Sequence, residues 1–310
     1  MFEKIGYEVG ERLACDCWGE LYEAVYKPHG TAVLFRRFDT AVTGYDGAWK
    51  LVEAELRAWS RLDHPGIISV LEWGVHDGMA FMAMRMPAGA PLMDCPAPLD
   101  VSVADVAFES LLEAMSAAGK LGVLHLGLSP ANVWLDGDRA CVADFGLWYV
   151  ARDFPGCFHP DELFLAPEQG GTGRVGAAAD VYSLGLIYVV MRFGVEAARE
   201  ASARGILPEE IEDRSRIIER CLDRLPLSRH RSAAELALAF TPRSRSDEVE
   251  DNSPDDCPIC VARARMRQQA GARGERGSPY PPARNIVSCA WLLVGALAVA
   301  TLIVWWLALR

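Results

Sequence analysis

Cys257-Pro258-Ile259-Cys260 sets two thiols at the two-residue spacing of half a zinc site. A tetrahedral site needs four ligands and no second pair follows, so the pair reads either as a redox-inert feature or as half of a site completed across a dimer. The other cysteines stand at 15, 17, 95, 141, 157, 221 and 289, an irregular series that brings the total to nine. An odd, irregular set is not a secreted disulfide framework and fits a reducing cytosol. Three further strings follow one another in the chain: His125 to Asn132, then Asp144-Phe145-Gly146, then Ala166-Pro167-Glu168.

The elements that must carry these residues can be separated by composition. The chain of 310 residues is 51% hydrophobic and 24% charged, enough for one large two-lobed domain and an appendage. A formal net charge of −11 argues against a nucleic-acid partner, which would need a basic face. Met1 to Gly6 holds neither a basic leader nor an apolar stretch, so no signal peptide is read there. From Ile286 to Leu309 there is no charge, and a helix of that length spans roughly 30 Å of hydrocarbon. Trp291 and the pair Trp305-Trp306 lie near its two ends, where indole rings favour the membrane interface. Arg263, Arg265, Arg267, Arg273, Arg276 and Arg284 precede this run and only Arg310 follows it. The positive-inside bias therefore predicts a single-pass inner-membrane helix over 286–309 with the preceding domain in the cytoplasm. Between them, 241–285 is rich in Ser, Pro, Gly and charge without an apolar period, and reads as a disordered juxtamembrane linker whose basic half can rest on anionic headgroups.

From about Tyr7 to Phe240 the motifs, in order and spacing, resemble a bacterial Hanks-type (eukaryotic-like) serine/threonine protein kinase domain. His125-Leu126-Gly127-Leu128-Ser129-Pro130-Ala131-Asn132 resembles the catalytic loop, with His125, Pro130 and Asn132 matching. Gly127 falls where the family has its catalytic aspartate, and Ser129 where it has the lysine that steadies the phosphate, so no catalytic residue is intact. Asn132 and Asp144 match the residues that hold a divalent cation. In the loop over the ATP phosphates only Gly19 is present; Ala14 and Asp16 stand against close approach, and Asp16 adds a negative charge there. Arg36 takes the place of the lysine that pairs the α- and β-phosphates, and a forked guanidinium does not replace a compact ammonium. Glu55, nine residues before His64-Pro65, is placed to pair with Arg36 as a strut, or else is part of a solvated helix face with Glu53 and Arg57.

The resemblance assigns Met84, Met86 and Trp134 to the nucleotide pocket as well. Leu34 and Trp134 stand where slender residues line the adenine slot, so Trp134 either fills that slot or turns into the large-lobe core. The segment from Leu147 to Leu165 has no serine or threonine, Asp161 sits at the threonine position, and Leu126 replaces the arginine that would grip a phosphate. Arg229 is placed to pair with Glu168. The resemblance implies a bilobal α+β fold, a sheet lobe over 7–87 and a helical lobe over 88–240. ATP and Mg2+ are the cofactors it implies, with binding weak or absent. The function it implies is a membrane-anchored pseudokinase that docks a cytoplasmic protein. An atypical active kinase and a nucleotide sensor without transfer are the rival readings.

Overall fold

The computed structural model describes residues 2–154, 158, 160–171 and 173–240. The linker, Cys257, Cys260 and the uncharged run over 286–309 lie outside the described residues. Among the described residues no helix is long and apolar enough to cross a membrane.

The first lobe is an antiparallel sheet of β1 (Tyr7–Asp16), β2 (Gly19–Tyr26), β3 (Thr31–Phe38), β4 (Val70–His76) and β5 (Met79–Arg85), in the order β1-β2-β3-β5-β4. Two helices, α1 (Thr40–Gly44) and α2 (Ala48–Trp59), connect β3 to β4. β3 is central in the sheet and buried from Val33 to Arg36. Successive side chains on a strand face opposite ways, so Val33 and Phe35 join Phe2, Tyr7 and Phe81 on the outer face, with Phe35 stacked on Phe81 at 5.5 Å. Leu34 and Phe38 belong to the inner core that continues into the second lobe. Arg36, between them in register, faces the same way and is carried into the space between the lobes.

On α2, Ala48, Val52, Leu56 and Trp59 are buried, the i, i+4, i+8 and i+11 stripe of a helix laid on a core. The Trp59 indole N–H donates to the Ile68 carbonyl at 2.9 Å, which satisfies its one polar group inside that core. Glu55 lies at the edge of this stripe.

The second lobe opens with a small sheet, β6 (Ala90–Pro91), β7 (Val133–Asp136) and β8 (Arg139–Val142), and is built mainly of helices: α3 (Val101–Lys120), α4 (Leu147–Asp153), α5 (Ala177–Phe193), α6 (Val195–Arg204), α7 (Ser215–Cys221) and α8 (Ala233–Ala239). α5 is buried without a break from Ala179 to Met191, as a helix surrounded by others must be. Gly185 lets α7 come close, since a Cβ there would lie 2.8 Å from that of Cys221. The bilobal α+β architecture is as the sequence implied.

Candidate functional site

The loop between α3 and β7 is held by its backbone. Leu126 has φ 60, a conformation a leucine adopts only under restraint. The restraint is Asp180 at the start of α5, whose carboxylate accepts the His125 N–H at 3.0 Å and the Leu126 N–H at 2.6 Å. Gln169 completes it, donating to the Leu126 carbonyl at 2.6 Å and accepting the Ala166 N–H at 2.8 Å. Burial pushes the Asp180 carboxyl up to about 6 against the pull of those two N–H groups. His125 donates from Nε2 to the Ala143 carbonyl at 2.8 Å, and burial lowers its pKa to about 4, so the ring is neutral near pH 7.

Asn132 closes the loop from the other side. Its Oδ1 accepts the Ser129 N–H at 2.9 Å and its Nδ2 donates to the Gly127 carbonyl at 2.9 Å. Its own carbonyl accepts the Ala143 N–H at 3.0 Å, which brings the residue before Asp144 against it. Gly127 and Ser129 are thus held in an ordered loop. A Cβ on Gly127 would lie 3.9 Å from the Cβ of Trp148, an ordinary contact, so the first turn of α4 borders this position. Trp148 is buried.

Arg36 defines the opposite wall of the cleft and does not pair with Glu55. Its Nη1 donates to both carboxylate oxygens of Asp16 at 2.8 Å and its Nη2 donates to Asp144 Oδ2 at 3.0 Å. Burial alone would lower the Arg36 pKa, but the charges of Asp144 and Asp16 more than reverse this and hold it above its usual range. The Asp144 carboxyl is raised by burial, with Arg36 opposing. Glu55 turns instead toward the backbone of Gly146, where a Cβ would collide with its carboxylate, and the φ of 76 at Gly146 also calls for glycine. Glu55 makes no hydrogen bond or ion pair among the described residues, and burial raises its pKa. The strut expected between Arg36 and Glu55 is therefore replaced by a bridge from β1 through β3 to the residue after Ala143. The reason is proximity: Asp16 at the end of β1 and Asp144 both reach the guanidinium.

Gly19 also serves the sheet. It pairs with Phe38 across β2 and β3, and a Cβ at its φ of 126 would strike the Arg37 carbonyl. Between β1 and β2, Asp16 Oδ1 accepts the Trp18 N–H at 2.8 Å, and the Trp18 ring stacks on Phe158 of the large lobe at 4.7 Å and 14°. Leu34, Met84 and Trp134 are buried in the core that spans the lobes, with Met84 opposite Leu34 and Trp134 opposite Cys141. Met86 lines a cavity of about 580 Å3 with His64, Arg85, Glu109 and Asp136, and neither Arg36, Asn132 nor Asp144 reaches it. Asp16, expected from the sequence only as an obstruction, is the partner of Arg36. An aspartate two residues before a turn N–H was the available signal.

The two lobes, the ordered loop carrying His125 and Asn132, and the Asp144-Phe145-Gly146 turn define a protein-kinase-type cleft. The protein kinase domain family model matches residues 11–245, and the chain belongs to that family. It is 28% identical over 195 residues to the mouse testis-specific serine/threonine-protein kinase 3, covering 60% of this chain and 73% of that one. It is 26% identical over 276 residues to the serine/threonine-protein kinase pkn3 of Myxococcus xanthus, covering 76% of this chain and 50% of that one. The crystal structure of the Mycobacterium tuberculosis PknI kinase domain matches at a TM-score of 0.61 and 25% identity, over 76% of this chain and 94% of that one.

Protein kinases use ATP and Mg2+. In this arrangement the residues do not fit that pair. The Arg36 guanidinium holds two carboxylates, one Asp144 oxygen is tied to it, and Asn132 Oδ1 is engaged by the loop's own N–H.

Proposed function

We propose that this chain is a membrane-anchored pseudokinase, a cytoplasmic binding or regulatory protein that uses the kinase fold to dock a protein partner. The observation that carries this reading is Gly127, a glycine where the family carries its base. A side chain that accepts the proton of a substrate hydroxyl must lie within hydrogen-bond reach of it, and glycine has none to offer. Ser129 in place of the loop lysine, and Arg36 bound to Asp16 and Asp144, support the same reading. The uncharged run over 286–309, with six arginines before it and one after, supports a single inner-membrane anchor and a cytoplasmic domain.

An atypical active serine/threonine kinase is the second reading, favoured by Asn132 and Asp144 standing in the family's order; a nucleotide sensor without transfer lies between the two. Transfer of radiolabelled γ-phosphate from Mg-ATP to the chain itself and to generic protein acceptors separates the atypical kinase from the two readings without transfer. No transfer above an Asp144→Asn control is expected. Transfer that disappears in that control would replace the scaffold by the atypical kinase.

A further inference from the structure

The Asp16 carboxylate occupies the chemistry that a nucleotide phosphate would need. It is an anion at the tip of the β1–β2 turn, bound by a buried guanidinium and by a turn N–H, the two kinds of donor that phosphates use. The Arg36 side chain is 3% exposed, so it cannot swing out to meet a ligand, whereas Asp16 is 38% exposed and can leave by turning toward solvent. With Asp144 also bound, one guanidinium already carries two negative charges. A phosphate added beside them would set three anions on one cation, and like charges at such range repel strongly in a partly buried site.

The turn itself is fastened. Trp18 and Phe158 are both buried in their stack, so the tip that would have to rise over a triphosphate is tied to the large lobe. Capacity for a polar ligand nonetheless remains: Arg36 Nε and Asp144 Oδ1 are buried and have no hydrogen-bond partner among the described residues. The set is complete as an ion pair and incomplete as a hydrogen-bond network.

We propose that Asp16 is an intramolecular occupant of the phosphate site, and that the polyphosphate of a nucleotide reaches Arg36 only when Asp16 is displaced. This rests on the pseudokinase reading and says how its cleft is kept closed. Asp16 then determines ligand choice without being catalytic: its removal opens the site to phosphate and leaves recognition of a nucleoside unaltered.

The experiment is isothermal titration of the purified 310-residue chain, wild type, Asp16→Asn and Asp16→Ala, with Mg-ATP, Mg-tripolyphosphate and adenosine. Asp16→Asn keeps the shape and the acceptor for the Trp18 N–H, so it guards against a variant that fails through a disordered turn. Both variants are expected to bind Mg-ATP and Mg-tripolyphosphate at least about tenfold more tightly than wild type, with adenosine unchanged. Equal weak binding of tripolyphosphate by all three proteins would overturn the proposal, as would a gain that adenosine shares in full. Phosphoryl transfer is scored separately. Transfer by an Asp16 variant would sink the scaffold reading and uphold the occupant; unchanged binding without transfer would do the reverse.

Discussion

Two buried arginines in this molecule bind carboxylates and do opposite things. Arg229 donates all around its fork: to both Glu168 oxygens at 2.8 Å and to the carbonyls of Asp223, Ala178 and Arg224. Every hydrogen bond it can make is made, and Tyr182 lies under the guanidinium at 5.0 Å. Arg36 touches two carboxylates and no carbonyl, and its Nε is left without a partner among the described residues. The first arrangement has one solution and fixes the large lobe. The second is satisfied in charge but not in hydrogen bonding, which is how a site that can exchange one anion for another is built.

The contrast is broken most severely at Arg229. Arg229→Ala leaves Glu168, only 16% exposed in the intact pair, uncompensated, and is expected to cost about 3–5 kcal/mol in denaturant unfolding, enough to prevent folding in a marginal domain. Arg36→Met should cost less, about 1–2 kcal/mol at neutral pH, because methionine keeps buried volume that alanine would lose and Asp16, 38% exposed, is solvated without its partner. The Asp144 pKa is already raised by burial and loses Arg36's opposing pull in this variant. Its deficit is therefore full well above that folded pKa and shrinks as pH falls through it. Urea unfolding of Arg36→Met and wild type along a pH series checks this, and a deficit that grows in acid would contradict it.

A pH-dependent effect sharpens the account of the loop. Asp180 titrates at about 6 in the fold against 3.8 unfolded, so it adds stability as pH falls from about 6 toward 3.8. His125 titrates at about 4 in the fold against 6.5 unfolded, so it removes stability as pH falls from 6.5 toward 4. The two slopes oppose each other. In Asp180→Asn only the histidine slope remains, and the variant should lose stability relative to wild type by up to about 1.4 kcal/mol per pH unit between 6 and 4. Parallel stability curves for the two proteins would show that Asp180 does not carry the proton.

How much of this was legible in the sequence follows the same division. The Glu168–Arg229 pair, the bilobal fold and the order of the loops could be read because each rests on a motif whose partner sits at a fixed place in the fold. Arg36 could be placed on its strand, but its partner could not. Asp16, Glu55 and Asp144 all offered a carboxylate, and the choice depends on how α2 and the β1 tip lie, which is tertiary. Glu55 was assigned by spacing alone, and spacing does not say which way a carboxylate at the edge of a helix stripe turns. The approach of Trp148 to Gly127 was invisible for a similar reason: nothing in the run from Leu147 to Asp153 announces that it will fold as a helix beside the loop from His125 to Asn132.

The central claim is that the cleft's cation is held by the chain's own Asp16. A double-mutant cycle on Asp16→Ala and Arg36→Met, with unfolding free energies measured in denaturant at about 0.1 M salt, tests it most directly. Asp16 is 38% exposed, so the pair is screened and the coupling expected is modest, about 1–2 kcal/mol, declining as salt is raised. A coupling indistinguishable from zero, within about 0.3 kcal/mol at both low and high salt, would mean that Arg36 and Asp16 do not hold one another, and the account of the cleft would fail with it.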